Sequence, residues 1–142
     1  MSTWQKPPMP PEENSAFDDT LGLVFTELTP DGARAWLEVQ PKLLQPTGIV
    51  HGGVYCSIVE SMGSVPAYLW YTERGGGDGG RVVGVNNNTD FLRAVTAGTL
   101  HAVATPIHRG RSQQLWSVVI TDDADRTAAR GQVRLQNLAP RD

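Results

Sequence analysis

Little in this chain can form a disulfide, hold a metal or cross a membrane. It has one cysteine, Cys56, so no intrachain disulfide can staple the fold and nothing points to an oxidising compartment. Its three histidines, His51, His101 and His108, are scattered without the spacing of zinc ligands, so no metal site is expected. Long apolar runs are missing, since Gly, Ser or charge breaks each one well short of the roughly 20 residues a membrane span needs. The opening residues, Met1 to Pro8, lack the apolar stretch of a signal peptide. A cytoplasmic protein with no membrane partner is the expectation. An excess of positive charge is also lacking: the formal net charge is -3, which argues against nucleic acid as a partner. A local basic patch for a small phosphorylated ligand stays possible.

What is present fits one domain. The chain has 142 residues, 39% of them hydrophobic and 19% charged, a balance that suits a globular fold with a single core. Residues 1–14 hold Pro7, Pro8, Pro10, Pro11, Glu12 and Glu13. Such a stretch buries too little apolar surface to offset its ordering entropy, so a flexible arm is expected there, with the domain over 15–142. A short helix is expected near Ser15–Thr20. Alternating apolar residues then mark a hairpin with arms Gly22–Leu28 and Ala33–Val39 around Pro30-Asp31-Gly32. The connection Gln40–Val50 reads as irregular.

His51–Tyr71 is the one long helix. Val54, Ile58, Met62, Val65 and Leu69 fall on one arc at helical spacing, flanked by Tyr55. Gly53, Cys56, Ser57, Glu60 and Ser64 fall on the other, and Pro66 is expected to kink or strain the helix. This small, polar face is either wet or covered by a second subunit. Arg74–Gly80 is a glycine-rich linker; it lacks the Lys-Ser/Thr ending and the preceding strand of a phosphate-binding loop. Four strands are expected after it: Val82–Phe91, Thr99–His108, Gln113–Thr121 and Ala128–Leu138. No helical period separates them, so consecutive antiparallel pairing is the simplest connection. The result is a two-layer α+β domain, one sheet around one helix.

Chemistry concentrates where that helix begins. The first turn of a helix has unpaired N–H groups and partial positive charge, and a glycine there lets a ligand carbonyl come close. The Gly52 N–H is therefore a natural oxyanion donor, with His51 positioning the turn or the ligand. Glu60, two turns on and almost above Gly53, is placed as a base or nucleophile. Ser64, one turn further, is placed to bond that carboxylate or orient a water. The plainer alternative is that Glu60 is an exposed helix carboxylate. Cys56 as nucleophile has no paired base beyond closeness in sequence, and Ser57, Ser61 and Ser64 lie in no nucleophile elbow. Tyr55, Val59, Trp70 and Phe91 are core residues or pocket walls.

The run Gln45-Pro46-Thr47-Gly48-Ile49-Val50-His51-Gly52-Gly53, with Glu60 nine residues after the histidine and Ser64 beyond, resembles the hotdog-fold acyl-CoA thioesterases, the PaaI-type or hydroxybenzoyl-CoA-like branch. Asn86-Asn87-Asn88-Thr89-Asp90-Phe91-Leu92-Arg93 and His108-Arg109-Gly110-Arg111-Ser112 also look like that branch. The resemblance covers roughly residues 20–138. It implies an antiparallel sheet wrapped around a long central helix and a homodimer or homotetramer with clefts between subunits. It also implies hydrolysis of acyl-CoA to free acid and CoA, with no cofactor beyond the CoA of the substrate. The glutamate would act across the dimer interface and Gln45 would bind or polarise the thioester carbonyl. Gly53, Asn88, Arg93, Arg109, Gly110, Arg111 and Ser112 would contact substrate or CoA, the arginines on phosphate oxygens. A solvated hairpin tip is the plainer reading of Arg109 and Arg111. The rival functions are a hotdog hydratase or dehydratase and a non-catalytic acyl-CoA binding module.

Overall fold

A computed structural model describes residues 15–77 and 79–141; the arm expected over 1–14 lies outside the described residues. A short helix, α1 (Ala16–Leu21), starts on the Ser15 side chain, which accepts the Asp18 N–H, and ends at Gly22, whose φ of 84° closes the helix in the left-handed region. The hairpin follows as β1 (Leu23–Thr29) and β2 (Gly32–Glu38). A single 3-10 turn at Pro41–Leu43 and an isolated bridge between Leu44 and Val50 lead to the long helix α2 (Gly52–Tyr71). Four strands complete the chain: β3 (Arg81–Phe91), β4 (Thr99–Arg109), β5 (Gln113–Thr121) and β6 (Thr127–Leu138).

All six strands form one antiparallel sheet in the order β1-β2-β4-β5-β6-β3. The strand boundaries agree with expectation, but the consecutive pairing does not. β3 pairs with β6, not β4, and β4 lies against β2. The reason is the segment from Leu92 to Gly98, which is not a hairpin turn. The Leu92 and Arg93 N–H groups bond to Ala128 O, Val95 O accepts from Val50 N, and Gly98 O accepts from Val39 N. These bonds carry the chain across the end of the sheet, from β6 to β2. The crossing leaves β3 as an edge strand and lays Phe91–Ala94 beside the start of α2.

The helix packs against the sheet, and its buried face is Val54, Tyr55, Ile58, Val59, Met62, Gly63, Pro66 and Ala67. Val65 is only partly buried, and Leu69 is half-buried rather than in the core. The contact arc is therefore turned from the expected one, and Gly63 is the cause. A Cβ at Gly63 would collide with Val133 Cγ1 and crowd Trp116 Cβ, so this glycine brings the helix backbone down onto β5 and β6. α2 runs on through Pro66 to Tyr71 and continues into a π turn at Thr72–Gly76. Pro66 is fully buried and removes only the bond to the Met62 carbonyl. The π turn replaces the first half of the plain linker expected there.

Under the second half of the helix a buried polar chain links three elements. Trp116 Nε1 donates to Gln114 Oε1 at 2.9 Å, and Gln114 Nε2 donates to Ala67 O and Asn137 Oδ1. Asn137 Nδ2 in turn holds the carbonyls of Gly110 and Arg111. Each member has partners, so the chain fixes the β4–β5 turn without stranding a polar group in the core.

Candidate active site

The tip of α2 is capped by its own histidine. His51 Nδ1 accepts the Gly53 N–H at 2.8 Å, and the His51 carbonyl accepts from Val54 N. The capping bond leaves the proton on Nε2 in the neutral ring. It also uses the next donors of the first turn, so Gly52 carries the N–H outside the capping bonds. His51 therefore acts on the turn. Gly52 is bare because a Cβ there would stand 2.5 Å from Phe91 Cε2; the Phe91 ring lies directly on it.

Gln45 stands in the same cleft, ordered by a small turn. Its backbone bonds Ile49 O and Gly48 N. Its side-chain Oε1 accepts from both the Thr47 N–H and the Thr47 hydroxyl. With the oxygen taken, the donor left on the Gln45 amide is its NH2 group. The cleft has a volume of about 290 Å³, with Gln45, Ile49, Gly52, Tyr55, Phe91 and Arg93 among its walls.

Glu60 is not in that cleft. It lines a second, shallower hollow of about 450 Å³ with Phe17, Cys56, Ser57, Ser61 and Asn87. Within one chain the acid and the helix tip therefore face different hollows. Two turns of helix separate them, and the Phe91 ring and the end of β3 stand on the cleft side. Of the two roles expected for Ser64, the bond to the carboxylate is not made: its hydroxyl donates to the Glu60 main-chain carbonyl at 2.6 Å. Ser57 makes the same bond to Gly53 O. Gly53, expected to contact substrate, is exposed at the tip and lines neither hollow.

Two neighbours of Glu60 come from β3. Gly84 faces the carboxylate so closely that a Cβ there would collide with Glu60 Oε1. Asn87 Nδ2 donates to Cys56 O at 2.9 Å and reaches Glu60 Oε2 at 3.5 Å, while Thr89 Oγ1 bonds Asn87 Oδ1 and sets the orientation of the amide. A register shift between Gly84 and Asn86 aims this stretch at the helix. Neither residue was singled out from the sequence. The signal was the Asn86-Asn87-Asn88 run, three poor strand formers inside a strand. The other side of the hollow is α1: Ser61 Oγ donates to Asp18 Oδ1 at 2.6 Å, and Phe17 is 60% exposed beside it. Burial holds the Asp18 carboxyl above its usual range, against the bonds from Ser61 and Ser15.

The remaining expected contacts are dispersed. Arg93 lines the tip cleft, and Asn88 is exposed on β3. Arg109 is committed inside the fold: Nη1 donates to Pro30 O and pairs with Asp31 Oδ1 at 2.8 Å, and the guanidinium lies 5.6 Å from the Trp70 ring centre. Gly110 closes the turn by donating to Gln113 O, and Ser112 O accepts the Asn137 N–H. Arg111 and Ser112 are exposed at the tip. Among the described residues no group of three or more His, Cys, Asp or Glu side chains is arranged to hold a metal, and no helix is long and apolar enough to cross a membrane.

Comparison with known proteins decides the family. The family model described as "Thioesterase superfamily" matches residues 47–129, from the loop before α2 into β6. The chain belongs to the thioesterase superfamily. It is a thioester hydrolase with the hotdog fold. It is 60% identical over 134 residues to Rv1847 of Mycobacterium tuberculosis, a candidate esterase, covering 94% of each chain. The solved structure of that protein superposes with a TM-score of 0.83 over 89% of this chain and 98% of that one, at 62% identity. The proofreading thioesterase EntH of Cronobacter sakazakii is 39% identical over 106 residues, 75% of this chain and 74% of the relative. A thioesterase structure from Haemophilus influenzae, 28% identical, has a TM-score of 0.79 and covers 89% of this chain and 85% of that one.

Proposed function

We propose that this protein hydrolyses acyl-CoA thioesters in a site completed by two copies of the chain, with Glu60 from one and the Gly52 N–H and Gln45 amide from the other. The observation that carries this reading is the division of the chemistry within one chain. An acid with an oriented amide beside it occupies one hollow, and two donors occupy another, on either side of the same strand end. β3 supports the pairing: it is an 11-residue edge strand with Val83 and Val85 exposed at 41% and 53%. An open edge of that length is a template for a second strand, and a two-fold pairing brings each hollow toward the partner's cleft.

In this site the thioester carbonyl points at Gly52 N–H and Gln45 Nε2, which stabilise the oxygen as it gains charge. Glu60 takes a proton from water as the water oxygen bonds to the carbonyl carbon. The C–S bond then breaks and the proton passes to the departing sulfur, giving free acid and CoA. Glu60 acting as nucleophile gives the same products through an anhydride that water cleaves. Neither route draws on a metal or redox cofactor. Arg111 and Arg93, both exposed, are the proposed phosphate contacts of CoA. Such a water-borne substrate suits a cytoplasmic enzyme.

Thiol release from benzoyl-, phenylacetyl- and hexanoyl-CoA tests the reading. Glu60→Gln should lower turnover about 10²–10⁴-fold with CoA binding retained. Mixing Glu60→Gln with Gln45→Ala, unfolding and refolding them together, should restore roughly a quarter of the wild-type rate, because half of the dimers are mixed and each carries one intact site. Wild-type rates for Glu60→Gln remove the acid from the mechanism. A mixture as inactive as its parts removes the shared site.

A further inference from the structure

Phe17 is a large apolar side chain left outside the core on a helix that is firmly held. α1 is closed at its two ends by the Ser15 cap and the left-handed Gly22. Between them, Leu21 is buried and Asp18 Oδ1 accepts from Ser61 Oγ on α2 at 2.6 Å. These contacts leave Phe17 60% exposed in the wall of the hollow that holds Glu60. Its ring therefore adds little to the stability of its own chain.

The polar side chains around that hollow are already bonded. The Ser57 hydroxyl donates to Gly53 O and the Ser61 hydroxyl to Asp18. Asn87 Nδ2 donates to Cys56 O and reaches Glu60 Oε2, and its Oδ1 accepts from Thr89 Oγ1. Glu60, as a carboxylate, only accepts. Among the described residues lining the hollow, the side-chain donor left over is the weak Cys56 thiol. A CoA arm carries amide carbonyls and a hydroxyl that lose their water unpaired in such a place, whereas a hydrocarbon loses nothing there. The tip cleft differs, since it holds the free Gln45 NH2 group and Arg93. With Arg93 on the CoA side of the thioester, the acid hollow is left for the acyl body.

We propose that Phe17 is a specificity-determining residue: it is the apolar wall on which the acyl body packs beside Glu60, and it favours acyl groups with a chain or ring over acetyl. This rests on the acyl-CoA reading above. A chain or ring laid on Phe17 takes apolar surface of both partners out of water, and an acetyl group has only a methyl to offer.

The experiment measures thiol release from acetyl-, hexanoyl- and phenylacetyl-CoA for wild type, Phe17→Ala and Phe17→Leu. Calorimetry alongside compares CoA with hexyl-CoA, a thioether that cannot be hydrolysed. Wild type should favour the better of the two larger thioesters over acetyl-CoA by about tenfold or more in kcat/KM. Phe17→Ala should lose about tenfold on that thioester, mainly through KM, and stay within about threefold of wild type on acetyl-CoA. Phe17→Leu, which keeps much of the apolar surface, should keep most of the preference. The gain in affinity from CoA to hexyl-CoA should shrink in Phe17→Ala, with Tm and oligomeric mass unchanged. An unaltered preference in Phe17→Ala, or none in wild type, overturns the proposal. So does an equal loss on acetyl-CoA with weaker binding of CoA itself, which puts Phe17 against the CoA arm. A lower oligomeric mass overturns it as well, by making Phe17 a contact between subunits. Absence of thiol release from every thioester defeats the hydrolysis reading instead, and the hexyl-CoA comparison still decides Phe17.

Discussion

β5 and β3 flank the same strand, β6, pairing along its two edges through residues 113–121 and 81–91. Along β5 burial alternates residue by residue, with Gln114, Trp116, Val118 and Ile120 at 0% exposure. Along β3 no residue is buried, although Val82, Val83, Val85 and Phe91 are apolar. The difference is one of duty. β5 spends its inward side chains on the helix and the core. β3 spends Gly84, Asn87 and Thr89 on the neighbourhood of Glu60 and leaves its outer edge unpaired. The strand that contributes least to the core of one chain contributes most to the candidate site.

The comparison breaks most visibly at Trp116. It is fully buried with its Cβ beside Gly63, and its Nε1 is bonded to Gln114. Trp116→Ala should cost about 3–5 kcal/mol through the cavity it leaves, with an added penalty from the stranded Gln114 oxygen. Urea unfolding checks this, and a loss under about 1 kcal/mol would mean that the sheet collapses onto the helix without it. On β3 the opposite pattern is expected. In Gly84→Ala the new methyl meets only the far end of the Glu60 side chain, which can swing away. Stability and oligomeric mass should hold while kcat falls about 10- to 100-fold, roughly 1.4–2.7 kcal/mol of transition-state stabilisation. Unchanged kcat would show that the acid works from another rotamer.

The two strands also differ in what their sequences disclose. The period-2 pattern of β5 and the helical period of α2 gave their boundaries to within a residue, because burial on one face is written locally. The site's helix tip was equally plain: a histidine, two glycines and an acid nine residues later sit on one element. The pairing of β3 with β6 is not local. It depends on hydrogen bonds from Leu92 and Arg93 to Ala128, more than thirty positions away, and a meander was the simpler guess. For the same reason Gly84 and Asn87 are not legible in the sequence as neighbours of Glu60, and neither the hairpin-tip reading of Arg109 nor the CoA contact that the resemblance implies discloses its pairing with Asp31. The split of the acid from the oxyanion donors came from a third source. Helical arithmetic puts Glu60 above Gly53, but it does not know that Phe91 closes one side of the tip.

The smallest effect concerns the turn that follows β5. The Asp122 carboxylate accepts the Ala124 and Arg126 N–H groups and pairs with Arg126 Nε, holding Asp125 at a φ of 61°. The backbone bond from Arg126 is the chief cause that draws its pKa below the ordinary Asp range, ahead of the opposing desolvation. A group lowered in the folded state stabilises the fold above its unfolded pKa, and that contribution is lost as pH falls through the folded one. The melting temperature of wild type should therefore decline on acidification below the ordinary Asp range, and Asp122→Asn should decline less over the same interval. Since this turn is removed from Glu60, the pH dependence of kcat in Asp122→Asn should follow wild type. Parallel melting curves for the two proteins in acid would show that the turn is held by its backbone bonds alone, with no share for the ionised carboxylate. A displaced kcat profile would mean that the β5 end and the β3 side of the sheet are coupled, against the division of duty between them.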